Sequence, residues 1–79
     1  MGEVRIHAPT RDVLDAIAYH VHWAHPEMTR ADCEAVAGEA HVWQLDDGSY
    51  RANYMVPTTY VNVTLTATLI GGLEAVEEA

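Results

Sequence analysis

Apolar and polar positions alternate at the start of the chain. Val4 and Ile6 point one way, and Glu3, Arg5 and His7 the other. This period of two predicts a short strand, which Ala8-Pro9 breaks. Thr10 then stands as a helix N-cap, with Asp12 in the first turn, where the helix dipole favours an acid. Val13, Leu14, Ile17, Ala18, Val21 and Ala24 recur at helical spacing and make one apolar face. Asp12, Asp15, Tyr19 and His22 form a stripe on a more polar side. Pro26 ends this helix near His25. Thr29-Arg30-Ala31-Asp32 resembles a capping box with Asp in place of Glu. It predicts a short second helix over 30–37, with Gly38 as its C′ residue.

The second half changes period. His41, Trp43 and Leu45 alternate with Ala40, Val42 and Gln44. Asp46-Asp47-Gly48-Ser49 is a hairpin signal, with Asp47-Gly48 expected as a type I′ turn. That turn sets Leu45 opposite Tyr50, Trp43 opposite Ala52 and His41 opposite Tyr54. Trp43 is then expected in the core, beside Leu45. Pro57 ends the strand, and Thr58-Thr59 supplies the next turn. Val61, Val63, Leu65, Ala67 and Leu69 alternate with Tyr60, Asn62, Thr64, Thr66 and Thr68. One face is core and the other a threonine ladder. Gly71-Gly72 stops the strand. The acidic end is expected to fray or form one helical turn.

These elements predict an α+β domain: an antiparallel sheet of three to four strands, with one longer and one short helix on one face (order β-α-α-β-β-β). The domain is expected over 1–72, with an acidic C-terminal tail over 73–79. The wet sheet face would present Thr64, Thr66, Thr68, Asn62, Tyr60, Arg51, Gln44 and Asn53.

Composition narrows the function. The 79 residues carry 12 acids against 4 basic residues, a formal charge of −8. All four basic residues are arginines, and lysine is absent. Direct nucleic-acid binding needs clustered Lys and Arg, so it is excluded. No 18-residue apolar run exists, so no transmembrane helix is expected. The first residues lack the basic and apolar stretches of a signal peptide, and the single Cys33 permits no internal disulfide. A cytoplasmic location follows as the default. Only three of the 12 acids lie beyond Gly72. Most of the charge is therefore held by folded elements.

Two clusters invite chemistry. His20, His22 and His25 fall within one stretch, and a metal site needs ligands that converge. On a helix only His22 and His25 share a face, so they form at most part of a site. Asp15, His22 and Cys33 invite a hydrolase reading. Yet Asp32-Cys33-Glu34 is an acidic setting, which raises a thiol pKa rather than lowering it. The expectation is a protein without enzymatic activity, metal or cofactor. The acids fall into groups: Asp12 and Asp15 on the first helix, Glu27, Asp32 and Glu34 around the second, Asp46 and Asp47 at the hairpin tip. With Tyr60, Thr64 and Thr66 they are the candidate partner-binding residues. Such a surface favours association with a basic protein surface.

In size, acidity, α+β character and lack of catalytic motifs, the chain resembles phage-encoded anti-CRISPR proteins. The resemblance spans the whole chain and rests on no motif. It implies a stoichiometric inhibitor in the host cytoplasm, acting as a DNA mimic on a basic groove of a CRISPR surveillance complex subunit. Two other readings stand beside it: an antitoxin-like or regulatory protein-binding module, and a small metal-binding protein using the 20–25 region. Either a monomer or a weak dimer fits the short polar sheet edges.

Overall fold

A computed structural model of the chain describes residues 4–6 and 8–78. Glu3 and His7, expected in the first strand, lie outside the described residues. The fold is α+β, in the order β1 (Val4–Ile6), α1 (Arg11–Ala24), α2 (Arg30–Gly38), β2 (His41–Gln44), β3 (Tyr50–Met55), β4 (Tyr60–Ala67) and β5 (Leu73–Glu77). The strands form one antiparallel sheet in the order β1-β2-β3-β4-β5. Both helices cover one face. The sheet thus has five strands rather than three to four. The fifth comes from the acidic end, which pairs with β4 instead of fraying or coiling.

Local signals set the helices. The Thr10 hydroxyl accepts from the Val13 amide at 3.4 Å, and the Thr29 hydroxyl from the Asp32 amide at 3.1 Å. These caps satisfy amide donors that the first helical turn leaves without partners. Helix α1 stops at Ala24, one residue before the His25 cap and two before Pro26. Gly38 departs from expectation. It ends α2 as a helical residue, and Glu39 is the cap, its amide bonding back to Ala35 and Val36. No left-handed glycine is needed there.

The first hairpin differs by one residue from the expected register. Val42 lies opposite Ala52, and Trp43 opposite Arg51. A type I′ turn requires positive φ at both central residues, and Asp47 does not have it. Instead Leu45 pairs with Ser49 across a three-residue loop, and Gly48 alone takes φ +89°. The Asp47 carboxylate accepts from the Ser49 amide at 2.9 Å and holds this geometry. One inserted residue exchanges the faces of β2. Val42 enters the core, and Trp43 turns to the outer face, half-buried, where its ring stacks against His41 at 6.2 Å. Gln44 leaves the outer face as well.

The core joins Val13, Ile17 and Val21 of α1, Cys33 and Ala37 of α2, and Val42, Ala52, Tyr54, Val63 and Leu65 of the sheet. Each fully buried Val, Leu or Ile contributes about 1.5–3 kcal/mol. The β4 alternation holds through Leu65 and then ends: Ala67 and Leu69 are exposed. Thr68 belongs to the following turn, its hydroxyl donating to the Gly71 carbonyl.

Candidate functional site: an acidic groove along the edge strand

Helix α1 crosses the sheet near β5 and leaves an open groove of about 880 Å³ between them. Its helical wall is the stripe Asp12, Asp15, Tyr19 and Trp23, at spacings of three, four and four residues, which a helix places on one side. Its other wall is β5, from Leu73 to Glu77. Three acidic side chains face it from the helix side (Asp12, Asp15 and Glu77), Glu74 borders it on β5 with its side chain on the face of its partner Thr66, and no Lys or Arg lines it. Asp15 pairs with Arg11 at 3.4 Å, and Glu77 with His20 at 3.0 Å. Among the described residues, Asp12 and Glu74 form no ion pair.

Two large aromatics stand in this groove without folding duty. Tyr19 is 74% exposed and Trp23 71% exposed. The Trp23 ring lies at 6.1 Å from that of His20, nearly parallel to it. His20 bridges α1 to β5 through its bond to Glu77. Beneath it lies a smaller cavity of about 190 Å³, lined by His25, Tyr54 and Thr59 among others. The Tyr54 hydroxyl is buried there without a hydrogen-bond partner among the described residues. Burial pushes its pKa up, and the nearby Glu77 charge adds to the shift.

The expected partner-binding residues do not form one surface. Asp12 and Asp15 lie in the groove. Glu27 pairs with His25 at 3.4 Å between the helices, and Glu34 with Arg30 at 3.2 Å along α2. Asp32 serves the first turn of α2. Asp46 and Asp47 sit at the first hairpin tip, where the Ser49 hydroxyl and amide hold the Asp47 carboxyl below its ordinary pKa. Tyr60, Thr64 and Thr66 lie on the outer sheet face. There Thr64 donates to Glu78 at 2.9 Å, and Glu78 also meets Arg51 at 3.3 Å. Arg5 donates to His41 at 2.6 Å on the same face. Arg5, Arg30 and Arg51 are thus engaged away from the groove, and Arg11 pairs with Asp15 on its helical wall.

Trp23, Glu74, Val76 and Glu77 stand outside the partner-binding residues expected from the sequence. A signal was present. Gly71-Gly72 after a strand is a hairpin turn, and Tyr19 with Trp23 is an i,i+4 aromatic pair on the polar side of a helix.

A second groove, of about 520 Å³, opens between α1 and α2 and does bring Asp15, His22 and Cys33 together. Cys33 is only 2% exposed. Among the described residues no hydrogen bond joins its thiol to His22, and Asp15 is paired with Arg11 rather than with the imidazole. A catalytic triad needs both links. For metal binding, no three His, Cys, Asp or Glu side chains converge among the described residues. His22 and His25 diverge: His22 faces α2 and His25 pairs with Glu27. No described helix is long and apolar enough to cross a membrane. Comparison with known protein families, with curated proteins and with solved structures gives no match.

Proposed function

We propose that the chain is a binding protein without enzymatic activity, which docks its acidic α1/β5 surface onto a basic surface of a partner protein and occludes nucleic acid there. One observation carries this reading: a groove of about 880 Å³ between α1 and β5 is lined by Asp12, Asp15, Glu74 and Glu77, by no Lys or Arg, and by two exposed aromatics. Exposed Trp and Tyr are the residue types that anchor protein interfaces. Fixed carboxylates steer the approach to a basic patch and raise the on-rate. They can stand where phosphates would stand. This is the behaviour that the resemblance to anti-CRISPR proteins implies.

The test is capture of a partner on the immobilised chain, followed by displacement with duplex DNA. The reading expects a nucleic-acid-binding protein that DNA releases and rising salt weakens. The double substitution Asp12→Lys with Asp15→Lys should lower affinity at least about tenfold. Both positions are exposed, so circular dichroism should show an unchanged fold. A partner held equally well by that variant, or indifferent to DNA, overturns the reading.

A further inference from the structure

The groove runs along a free sheet edge. Among the described residues, strand β5 is last in the sheet order and pairs only with β4. The Glu78 amide bonds to Asn62, and the Thr68 amide to Gly72. Antiparallel pairing alternates between bonded and non-bonded residues. Counting between those two bonds, Glu74 and Val76 direct their backbone groups at β4. Leu73, Ala75 and Glu77 direct theirs away from it, at the open edge. Residues of both sets line the groove. The edge itself, and not just one face of β5, therefore opens into it.

Folded proteins blunt such edges with Pro, bulges, lysines or covering elements. The edge here has no Pro, bulge or lysine, and its charges are acidic, Glu74 and Glu77, so they repel an acidic strand and admit a basic one. Helix α1 stands beside it across the groove instead of covering it. We propose that this edge takes up an extended basic segment of the partner protein as a sixth, added strand. The inference rests on the function proposed above and specifies the shape of what binds.

Two features select that occupant. Strand addition is held by main-chain hydrogen bonds, and side chains alternating across the groove give specificity. On the helix side of the edge stand Asp12, Asp15 and Glu77 with the exposed Tyr19 and Trp23, so Lys or Arg at the alternate positions of the added strand that face α1 meets carboxylates and aromatic rings. The residues between them face the other side of the sheet, beside Val76 and Glu74, which pair with Thr64 and Thr66. A second copy of this chain is disfavoured. It would bring Glu74, Glu77 and Glu78 of each strand together, on two bodies of charge −8, and like charges across strands destabilise pairing.

The experiment is a nuclear magnetic resonance titration of the labelled chain with a capped hexapeptide of alternating Lys and Val. The expected result is saturable binding below about 1 mM, with slowed exchange of the Ala75 amide and cross-strand contacts to β5. Methylating alternate peptide amides in the register that faces β5 should abolish binding. Methylating the other register should not. The Ala75→Pro substitution removes one edge donor and no bond to β4, and should cost at least about tenfold in affinity. If Ala75→Pro unfolds the chain, the methylated peptides still decide, because they leave the protein untouched. Equal binding of both methylated peptides overturns strand addition while leaving the acidic docking surface standing. Absence of binding at about 1 mM also overturns it, as does equal binding of an alternating Glu and Val peptide. A concentration-dependent dimer in sedimentation, with the Ala75 amide protected, overturns it in favour of a second copy. Failure of the broader reading shows elsewhere, in the response of the captured partner to Asp12→Lys with Asp15→Lys.

Discussion

The two three-residue hairpins of the sheet have one backbone and opposite chemistry. Between β2 and β3, Leu45 pairs with Ser49, the Gly48 amide bonds to the Leu45 carbonyl at 3.0 Å, and Gly48 sits at φ +89°. Between β4 and β5, Thr68 pairs with Gly72, the Gly71 amide bonds to the Thr68 carbonyl at 3.3 Å, and Gly71 sits at φ +91°. The first tip is Asp46-Asp47, solvated and braced by Ser49. The second is Leu69-Ile70, with Ile70 97% exposed and Leu69 entirely so. The turn geometry demands a glycine at the third loop position in both. It demands nothing apolar at the other two. Leu69 and Ile70 form an exposed apolar pair that the turn does not require. Thr68 and Gly72, which flank this tip, line the acidic groove. The contrast separates what the backbone requires from what the groove adds.

The largest test of this contrast asks whether the hairpins fold as one unit. Leu65 is fully buried and pairs with Tyr50 of β3 on one side and Ala75 of β5 on the other. Leu65→Ala should cost about 2–5 kcal/mol. Total stability for a chain of this length is about 4–12 kcal/mol at roughly 0.05–0.15 per residue, so the loss is severe. Trp43 reports on the first hairpin and Trp23 on the helix facing the second. Urea curves from Trp43→Phe and Trp23→Phe backgrounds should shift together. Separate shifts would make the hairpins independent units.

The glycines come next. A Cβ at Gly48 or Gly71 would touch nothing within 4 Å, so substitution strains the backbone alone. Gly48→Ala and Gly71→Ala should each cost about 1–2 kcal/mol, by nearly equal amounts. A Gly71→Ala cost near zero would break the equivalence of the two turns.

A smaller effect is expected at the apolar tip. Leu69→Ser with Ile70→Ser should leave stability within about 0.5 kcal/mol, because neither side chain is buried. Measured by thermal unfolding, a loss above about 1.5 kcal/mol would mean that the tip packs on the fold after all.

The same pair of hairpins shows where the fold was legible. Helix caps are local, so Thr10 and Thr29 could be read from their neighbours. The core parity of Ala52, Tyr54, Val63 and Leu65 was legible too, because regular strands preserve alternation. The faces of Val42 and Trp43 depended on the sign of one φ angle at Asp47, which Asp-Gly leaves open between two loop lengths. Strand β5 was missed because Glu74, Ala75 and Glu77 have little strand preference of their own. Pairing with β4 makes it a strand. The groove was legible only in halves: Asp12 and Asp15 from one end of the sequence, and an acidic terminus from the other. Contact between residues more than 50 positions apart, such as His20 with Glu77 (57 apart), brings its walls together.

The smallest effect sets the turns apart by pH. The Ser49 hydroxyl, then the Ser49 amide, hold the Asp47 pKa below its ordinary value of 3.8. A carboxylate with a depressed folded pKa stabilises the fold above its unfolded pKa. That contribution is lost as pH falls through the folded value, where the protonated form dominates both states. The advantage of the wild type over Asp47→Asn in urea should therefore be present at about pH 6 and shrink by about pH 3 and below. Ser49→Ala removes the larger cause and leaves the amide, so it should reproduce part of the change. The loop of the second hairpin, Leu69-Ile70-Gly71, contains no titrating group. Acid should leave the cost of Gly71→Ala unchanged while it erodes the bracing at Asp47. A wild-type advantage over Asp47→Asn that stays constant with pH would mean that the protonated carboxyl braces the turn as well as the carboxylate does. The polar tip would then owe its geometry to hydrogen bonding alone and not to charge.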